Sequence, residues 1–227
     1  MNFTQNNKIL VLGAHPDDET LGVGGTILKA HSNNSIVDVL IATDGVSSQY
    51  AGDPKKQSLR SNYFSSACEI LKINNVFQLD FPDMKLDTIP HIDLNMRISD
   101  IIQKGNYDTI FIHHPHDINK DHQILFHSVM VACRPTLSKT PSIYTYYTVS
   151  SSEWGIYESN TIFCPNVFVD ISEFIDQKIA AFECYKDEIR EYPHPRSIEN
   201  IINTAKFFGS QIGVHFAEPF RLVRLLN

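Results

Sequence analysis

Apolar positions along this chain fall into continuous runs and helical stripes that alternate from the N-terminus onward. Residues 8–14 (KILVLGA) are an unbroken apolar run, as in a strand buried on both faces. Residues 19–33 change to helical character, and 35–43 (SIVDVLIAT) are a second buried strand that stops at Asp44-Gly45. After the polar loop GVSSQYAGDPKKQ, residues 58–73 place Leu59, Tyr63, Ala67, Ile70 and Leu71 at helical spacing. NVFQLDF (75–81) predicts a short strand and PDMKLDT a turn-rich loop. Residues 89–105 predict an amphipathic helix with Ile92, Met96 and Ile101 on its buried face and Gly105 as its C-terminal cap. A strand over 107–114, a loop running into a helix over 123–133, and a strand over 142–149 continue the alternation.

This order predicts the α/β class: a Rossmann-like three-layer α/β/α arrangement, a mostly parallel sheet and right-handed crossovers. Beyond about residue 150 the pattern loosens. A strand over 166–172, a helix over 173–189, the break EYPHPRS, a helix over 198–213 with Gly209 or Gly213 near its end, and a closing strand are expected there. With no linker and no repeat, 1–227 reads as one domain, the part from about 150 forming a cap on it.

Composition narrows the function classes. The net charge is −7 and no Lys/Arg cluster stands out, which argues against a nucleic-acid partner. Cys68, Cys133, Cys164 and Cys184 lie far apart without a CxxC pair, so neither a thiolate metal site nor a disulfide framework is indicated. Free thiols suit a reducing cytosol. The start MNFTQNNK lacks the layout of a signal peptide, and no run approaches the roughly 18 apolar residues of a membrane span. A soluble cytoplasmic protein acting on a small molecule is the expectation, with a homo-oligomer left open.

The chemistry concentrates at two strand ends. The first strand runs directly into His15, Pro16, Asp17, Asp18 and Glu19. Ligands of open parallel sheets sit outside the carboxyl ends of the strands. Three adjacent carboxylates repel one another unless a cation lies among them. His15 and Asp18 could reach one divalent ion, with Asp17 beside it, and a third ligand would have to come from another strand end. The plain alternative is that Asp17 or Asp18 caps the next helix. Gly22, Gly24 and Gly25 do not make a nucleotide loop, because the turn before them would repel a pyrophosphate; close helix–strand packing explains them better. The second constellation, HHPHDINKDH (113–122), holds four histidines in ten residues. Its His122 falls at a helix start, and Asp121 is placed to support a ligand or to cap.

HPDDE after the first strand, joined to a downstream PxDxNxDH, resembles the PIG-L/LmbE-like zinc de-N-acetylases. FCPNVFVDIS, HPRS and FAEPF resemble later blocks of bacterial sugar-deacetylase members, so the likeness spans nearly the whole chain. The resemblance implies one zinc per chain on His15, Asp18 and His122, with another divalent metal as the alternative. It implies Asp17 as general base and Arg60 as a substrate contact. Where many members have a histidine three residues before the last ligand, this chain has Asn119, so His116, His114 and His194 are further candidates for the general acid. The glutamate usual three residues after the arginine is here Tyr63.

The implied reaction is hydrolysis of an N-acetyl group from an amino-sugar derivative that is free, or nucleotide-, lipid- or glycan-linked. Asp17 takes a proton from water, and Asn119 or a histidine steadies the oxyanion. Asp44 at the second strand end, and His194 with Arg196 in HPRS, are substrate-binding candidates; arginine suits a phosphate or carboxylate. Tyr50, Tyr144, Tyr146, Tyr147 and Trp154 could stack on sugars, although core packing is the commoner use of aromatics. A thiol-conjugate amidase, a metal phosphoesterase and a non-catalytic sugar- or nucleotide-binding member are the competing readings.

Overall fold

The computed structural model describes residues 5–48, 53–135, 139–155 and 161–225. In chain order its elements are β1 (Lys8–Gly13), α1 (Asp18–Ser32), β2 (Ile36–Thr43), α2 (Pro54–Leu71), β3 (Asn75–Phe81), α3 (His91–Gly105), β4 (Thr109–His113), α4 (Lys120–Ala132), β5 (Ser142–Tyr146), β6 (Val167–Asp170), α5 (Ile175–Glu183), α6 (Ile198–Ser210) and β7 (Ala217–Arg224). The strands form one sheet in the order β3-β2-β1-β4-β5-β7-β6. The first five run parallel, and β7 is antiparallel to both β5 and β6.

Strand β1 shows why the sheet is covered twice. Ile9 and Val11 face a core shared with α1, α2, α5 and α6, whereas Leu10 and Leu12 face a second core shared with α3 and α4. A strand with two buried faces reads as a continuous apolar run, as 8–14 does. The loosely patterned tail does more than cap: β6 and β7 extend the sheet at its β5 edge. All four cysteines are free thiols. No helix among the described residues is long and apolar enough to cross a membrane.

Helix α1 carries an ion pair inside its own hydrogen-bond ladder. Lys178 of α5 donates through Nζ to the Leu21 carbonyl at 2.8 Å and to Glu218 Oε1 at 2.6 Å. Glu218 of β7 in turn accepts the Gly25 and Thr26 amides, each at 2.8 Å. The glycines make this approach possible. A Cβ on Gly22 would lie 2.2 Å from the Tyr146 ring, and one on Gly25 would lie 2.7 Å from Ile171. Close packing is thus their structural role: Gly22 lies against β5, Gly25 against the residue that follows β6, and Gly24 against α5 and α2.

Two local expectations are corrected. In α3, Leu94, Ile98 and Ile102 are buried, while Ile92 and Met96 are exposed and Ile101 is partly buried. The helix bears two apolar stripes of the same period, and docking on α4 and the sheet selects one of them. Its left-handed cap is Asn106, not Gly105, which lies beneath the Tyr107 ring. In α2 the buried face is Phe64, Ala67, Cys68 and Leu71, with Leu59 at the surface.

Candidate functional site

Strand order reverses at β1, whose neighbours β2 and β4 lead to opposite edges of the sheet. A crevice opens at the carboxyl ends at such a switch point. His15, Asp17 and Asp18 follow β1, Asp83 follows β3, His113 ends β4 and His122 lies in the first turn of α4. A cavity of about 440 Å3 opens there, with His15, Asp17, Asp18, Asp83 and His122 in its wall.

Two imidazoles converge on Asp18. His15 Nδ1 lies 3.5 Å from Asp18 Oδ2, and His122 Nε2 lies 3.5 Å from Asp18 Oδ1. The other nitrogen of each ring meets a carboxylate. His15 Nε2 is 3.2 Å from Asp121 and 3.3 Å from Asp83; His122 Nδ1 is 2.9 Å from Asp117. Asp117 is itself fixed by the Ser152 hydroxyl at 2.6 Å. Outer carboxylates that hold one ring nitrogen and aim the other inward are how ligating histidines are oriented.

The donor atoms of His15, Asp18 and His122 lie within 4.8 Å of one another, a set that fits a divalent ion. The combinations His113–Asp117–His122 and His15–Asp83–Asp121 share that spacing, but each includes a residue outside the cavity wall.

Protonation at His122 and Asp18 agrees with this fit. Burial pushes the His122 imidazole down to about 4, and burial with the neighbouring His122 ring does the same to His113, which leaves both neutral at pH 7. Burial works to raise Asp18, but the His113 and His122 rings outweigh it and hold the carboxyl well below its ordinary value. Burial works to lower His15, yet Asp121, Asp18 and Asp83 hold it well above its ordinary value. The field at this point favours a cation.

Asp17 occupies the N-cap position of α1 but does not cap it through its side chain. Its backbone has φ 126°, a left-handed conformation of the kind that costs a non-glycine residue about 1–3 kcal/mol, and its side chain makes no capping bond. Its amide donates to Glu19 Oε2 at 3.1 Å instead, and its carboxylate lies 3.4 Å from Arg60 Nη2. Arg60 also donates to the Pro16 carbonyl at 2.7 Å and to Glu188 at 2.6 Å, and its guanidinium lies 5.6 Å from the centre of the Tyr185 ring. Burial pushes the Asp17 carboxyl well above its ordinary value, and Arg60 opposes this only in part. Glu19 is fully buried and accepts the Thr20 and Tyr185 hydroxyls, both at 2.6 Å.

The remaining predicted residues separate into two groups. Asn119 and Arg196 line the cavity with Arg60. Asn119 Oδ1 caps α4 through the Asp121 amide at 2.9 Å, and its Nδ2 faces Met84 Sδ at 3.6 Å. Asp44, His116 and His194 are not brought to the cavity wall. Asp44 accepts the Val46 and Ser47 amides in a turn, His116 is exposed against His114, and His194 accepts the Arg196 amide and meets Trp154 edge to face. Tyr144 and Tyr146 are core residues, Trp154 stands at the cavity, and Tyr50 lies outside the described residues.

Several contributors are not evident from sequence motifs. Glu188, from the segment between α5 and α6, bridges Arg60 and Arg196. Asp83 and Asp117 hold ligand candidates, and His113, 3.2 Å from Asp18, stacks on His122 with ring centroids 3.6 Å apart. The density of acids and histidines over 113–122 was the available signal for Asp117 and His113; none marked Glu188.

Fold and site together define a class: α/β proteins that gather a divalent-cation donor set at the switch point of a parallel sheet. Residues 10–133 match the PIG-L family (GlcNAc-PI de-N-acetylase), and the chain belongs to that family. It is 26% identical to the diacetylchitobiose deacetylase of Thermococcus kodakarensis, over 97% of this chain and 85% of that protein. It is also 26% identical to a probable N-acetyl-α-D-glucosaminyl L-malate deacetylase of Bacillus cereus, over 79% of this chain and 83% of the relative. In fold it matches the N,N′-diacetylchitobiose deacetylase of Pyrococcus horikoshii with a TM-score of 0.79 and 21% identity, covering 97% of this chain and 85% of the other.

Proposed function

We propose that this protein is a zinc-dependent hydrolase that removes an N-acetyl group from an amino-sugar derivative. The observation that carries this reading is the convergence of His15 Nδ1 and His122 Nε2 on Asp18, with the Asp17 carboxylate turned out of the helix cap beside them. Family membership and the deacetylase relatives support it. His15, Asp18 and His122 would hold one metal ion per chain. When bound, that ion supplies Lewis acidity toward water and toward a carbonyl oxygen.

The residues of the chain do the rest. Asp17 takes a proton from the water that attacks the acetamide carbonyl. Its raised pKa suits a group that accepts a proton and then gives it back. Asn119 Nδ2 donates a hydrogen bond to the developing oxyanion. As the carbon–nitrogen bond breaks, Asp17 returns its proton to the amine, leaving acetate and the free amino sugar. Arg60, locked by Glu188 and the Pro16 carbonyl, keeps Asp17 in place. Trp154, half exposed at the cavity, offers a stacking face for a sugar ring. His116, exposed and outside the cavity wall, is given no part. The four free thiols support a cytoplasmic location.

The test is acetate release from N-acetylated amino sugars by protein stripped with a chelator and then reloaded with zinc. Activity that disappears on stripping and returns on reloading is the expected result. Absence of acetate from every substrate, with zinc bound, would overturn the reading.

A further inference from the structure

The segment that follows α5 reaches Asp17 by two routes, and both pass through Tyr185. Tyr185 is fully buried, and its hydroxyl donates to Glu19 Oε1 at 2.6 Å across 166 residues of sequence. Glu19 Oε2 in turn accepts the Asp17 amide at 3.1 Å. The second route runs over the Tyr185 ring, whose centre lies 5.6 Å from the Arg60 guanidinium, a cation–π contact. Arg60 lies 3.4 Å from the Asp17 carboxylate. The Tyr185 carbonyl also accepts the Glu188 amide at 2.8 Å, and Glu188 Oε1 accepts Arg60 at 2.6 Å. One side chain thus bears on both the backbone and the carboxylate of Asp17, while staying outside the cavity wall itself.

The Asp17 backbone needs such support. At φ 126° and ψ −26° it occupies a region that persists only where the surroundings over-determine it. Glu19 supplies a buried acceptor for the Asp17 amide, and its other oxygen takes the Thr20 and Tyr185 hydroxyls. Thr20 is the adjacent residue and moves with Glu19. Among the described residues, the Tyr185 hydroxyl is therefore the long-range hydrogen bond that ties this carboxylate to the rest of the fold. A misplacement of about 1 Å at a reacting group can cost on the order of a hundredfold in rate. Resting on the deacetylase reading, we infer that Tyr185 is a positioning residue: through Glu19 and Arg60 it holds Asp17 in the left-handed pose from which that carboxylate exchanges its proton.

The experiment compares zinc content, Tm, kcat and KM for acetate release in wild type, Tyr185→Phe, Glu19→Leu and Glu19→Gln, with rates expressed per zinc-loaded chain. Tyr185→Phe keeps the ring beside Arg60 and loses only the hydroxyl. It should retain one zinc per chain and show kcat lowered about 10–100-fold, with KM within about twofold of wild type. Glu19→Leu offers the Asp17 amide no acceptor and should fall at least as far. Glu19→Gln keeps an oxygen for that amide, while its NH2 group meets hydroxyls that can turn to accept, and should recover part of the loss. Tyr185→Phe preserves the core volume and carries the test by itself should Glu19→Leu fail to fold. A merely structural Tyr185 would lower Tm and leave kcat per zinc-loaded chain at the wild-type value, and that result would overturn the inference. So would a Tyr185→Phe defect confined to KM or to lost zinc, or a Glu19→Gln no better than a folded Glu19→Leu. The two readings fail separately. Zinc-loaded wild type that releases no acetate sinks the hydrolase, and acetate release by wild type that Tyr185→Phe matches sinks the positioning role alone.

Discussion

Replacing Glu218 with glutamine removes the anion from the ion pair built into α1, the helix whose first residue is Asp18. Glu218 is 2% exposed and accepts three hydrogen bonds, from Lys178 Nζ at 2.6 Å and from the Gly25 and Thr26 amides at 2.8 Å. Glutamine keeps one acceptor oxygen, but its amide group points donors at amides or at the ammonium. Lys178, also buried, would be left with the Leu21 carbonyl and no counter-charge. Removing one partner of a buried pair typically costs about 3–5 kcal/mol. In a chain of this size that corresponds to a fall in Tm of roughly 6–20 °C. Urea unfolding followed by circular dichroism reads the change as a lower midpoint at constant slope. The double variant Lys178→Met/Glu218→Gln should regain much of the loss, because an apolar replacement removes the stranded charge. A loss below about 1 kcal/mol, the value of an exposed pair, would refute the reasoning. So would a double variant as unstable as the sum of the two singles.

Further outcomes follow from the same geometry. Asp117→Asn weakens the hold on His122 Nδ1 and should lower zinc affinity about 10–100-fold in a chelator competition, with the fold retained. Gly22→Ala drives a methyl group into the Tyr146 ring and should destabilise by about 1–3 kcal/mol in the same urea assay. Burial works to raise Glu188, but Arg60 and Arg196 outweigh it and depress the carboxyl in the folded state. Its contribution is therefore complete above the unfolded value of about 4.3 and is lost as pH falls through the lower folded value. The stability gap between wild type and Glu188→Gln should close as pH drops from about 5 to about 3.

The parts of this molecule that were legible in the sequence are those encoded locally. Strands buried on both faces announce themselves as apolar runs, and β1, β2 and β4 lie where those runs are. His15 and Asp18 share one turn, so spacing offered them as a ligand pair, while His122 came in as the proposed third donor through the family resemblance. What stayed hidden depends on tertiary choice. Helix α3 offers two stripes of equal period, and only docking selects Leu94, Ile98 and Ile102. Strand β7 inserts between β5 and β6, an order that the succession of elements does not encode. Asp117 gains its role from His122 and Ser152, which the fold brings to its two oxygens. Glu188 looked like one charge among many in a polar stretch, yet it is partly buried and bridges two arginines. Glycines 22, 24 and 25 were read correctly as packing residues, but the ion pair from α5 and β7 that enters α1 beside them has no signature in the helix itself.

The most direct test of the central claim compares wild type with Asp17→Asn for metal content and acetate release after zinc loading. Asp17 is assigned to proton transfer and not to metal binding, so both proteins should hold one zinc per chain. Acetate release by the variant should fall by about 10²–10⁴-fold, the range for loss of a general acid–base group. A variant that releases acetate at the wild-type rate, or a wild type that binds no zinc, would contradict the account.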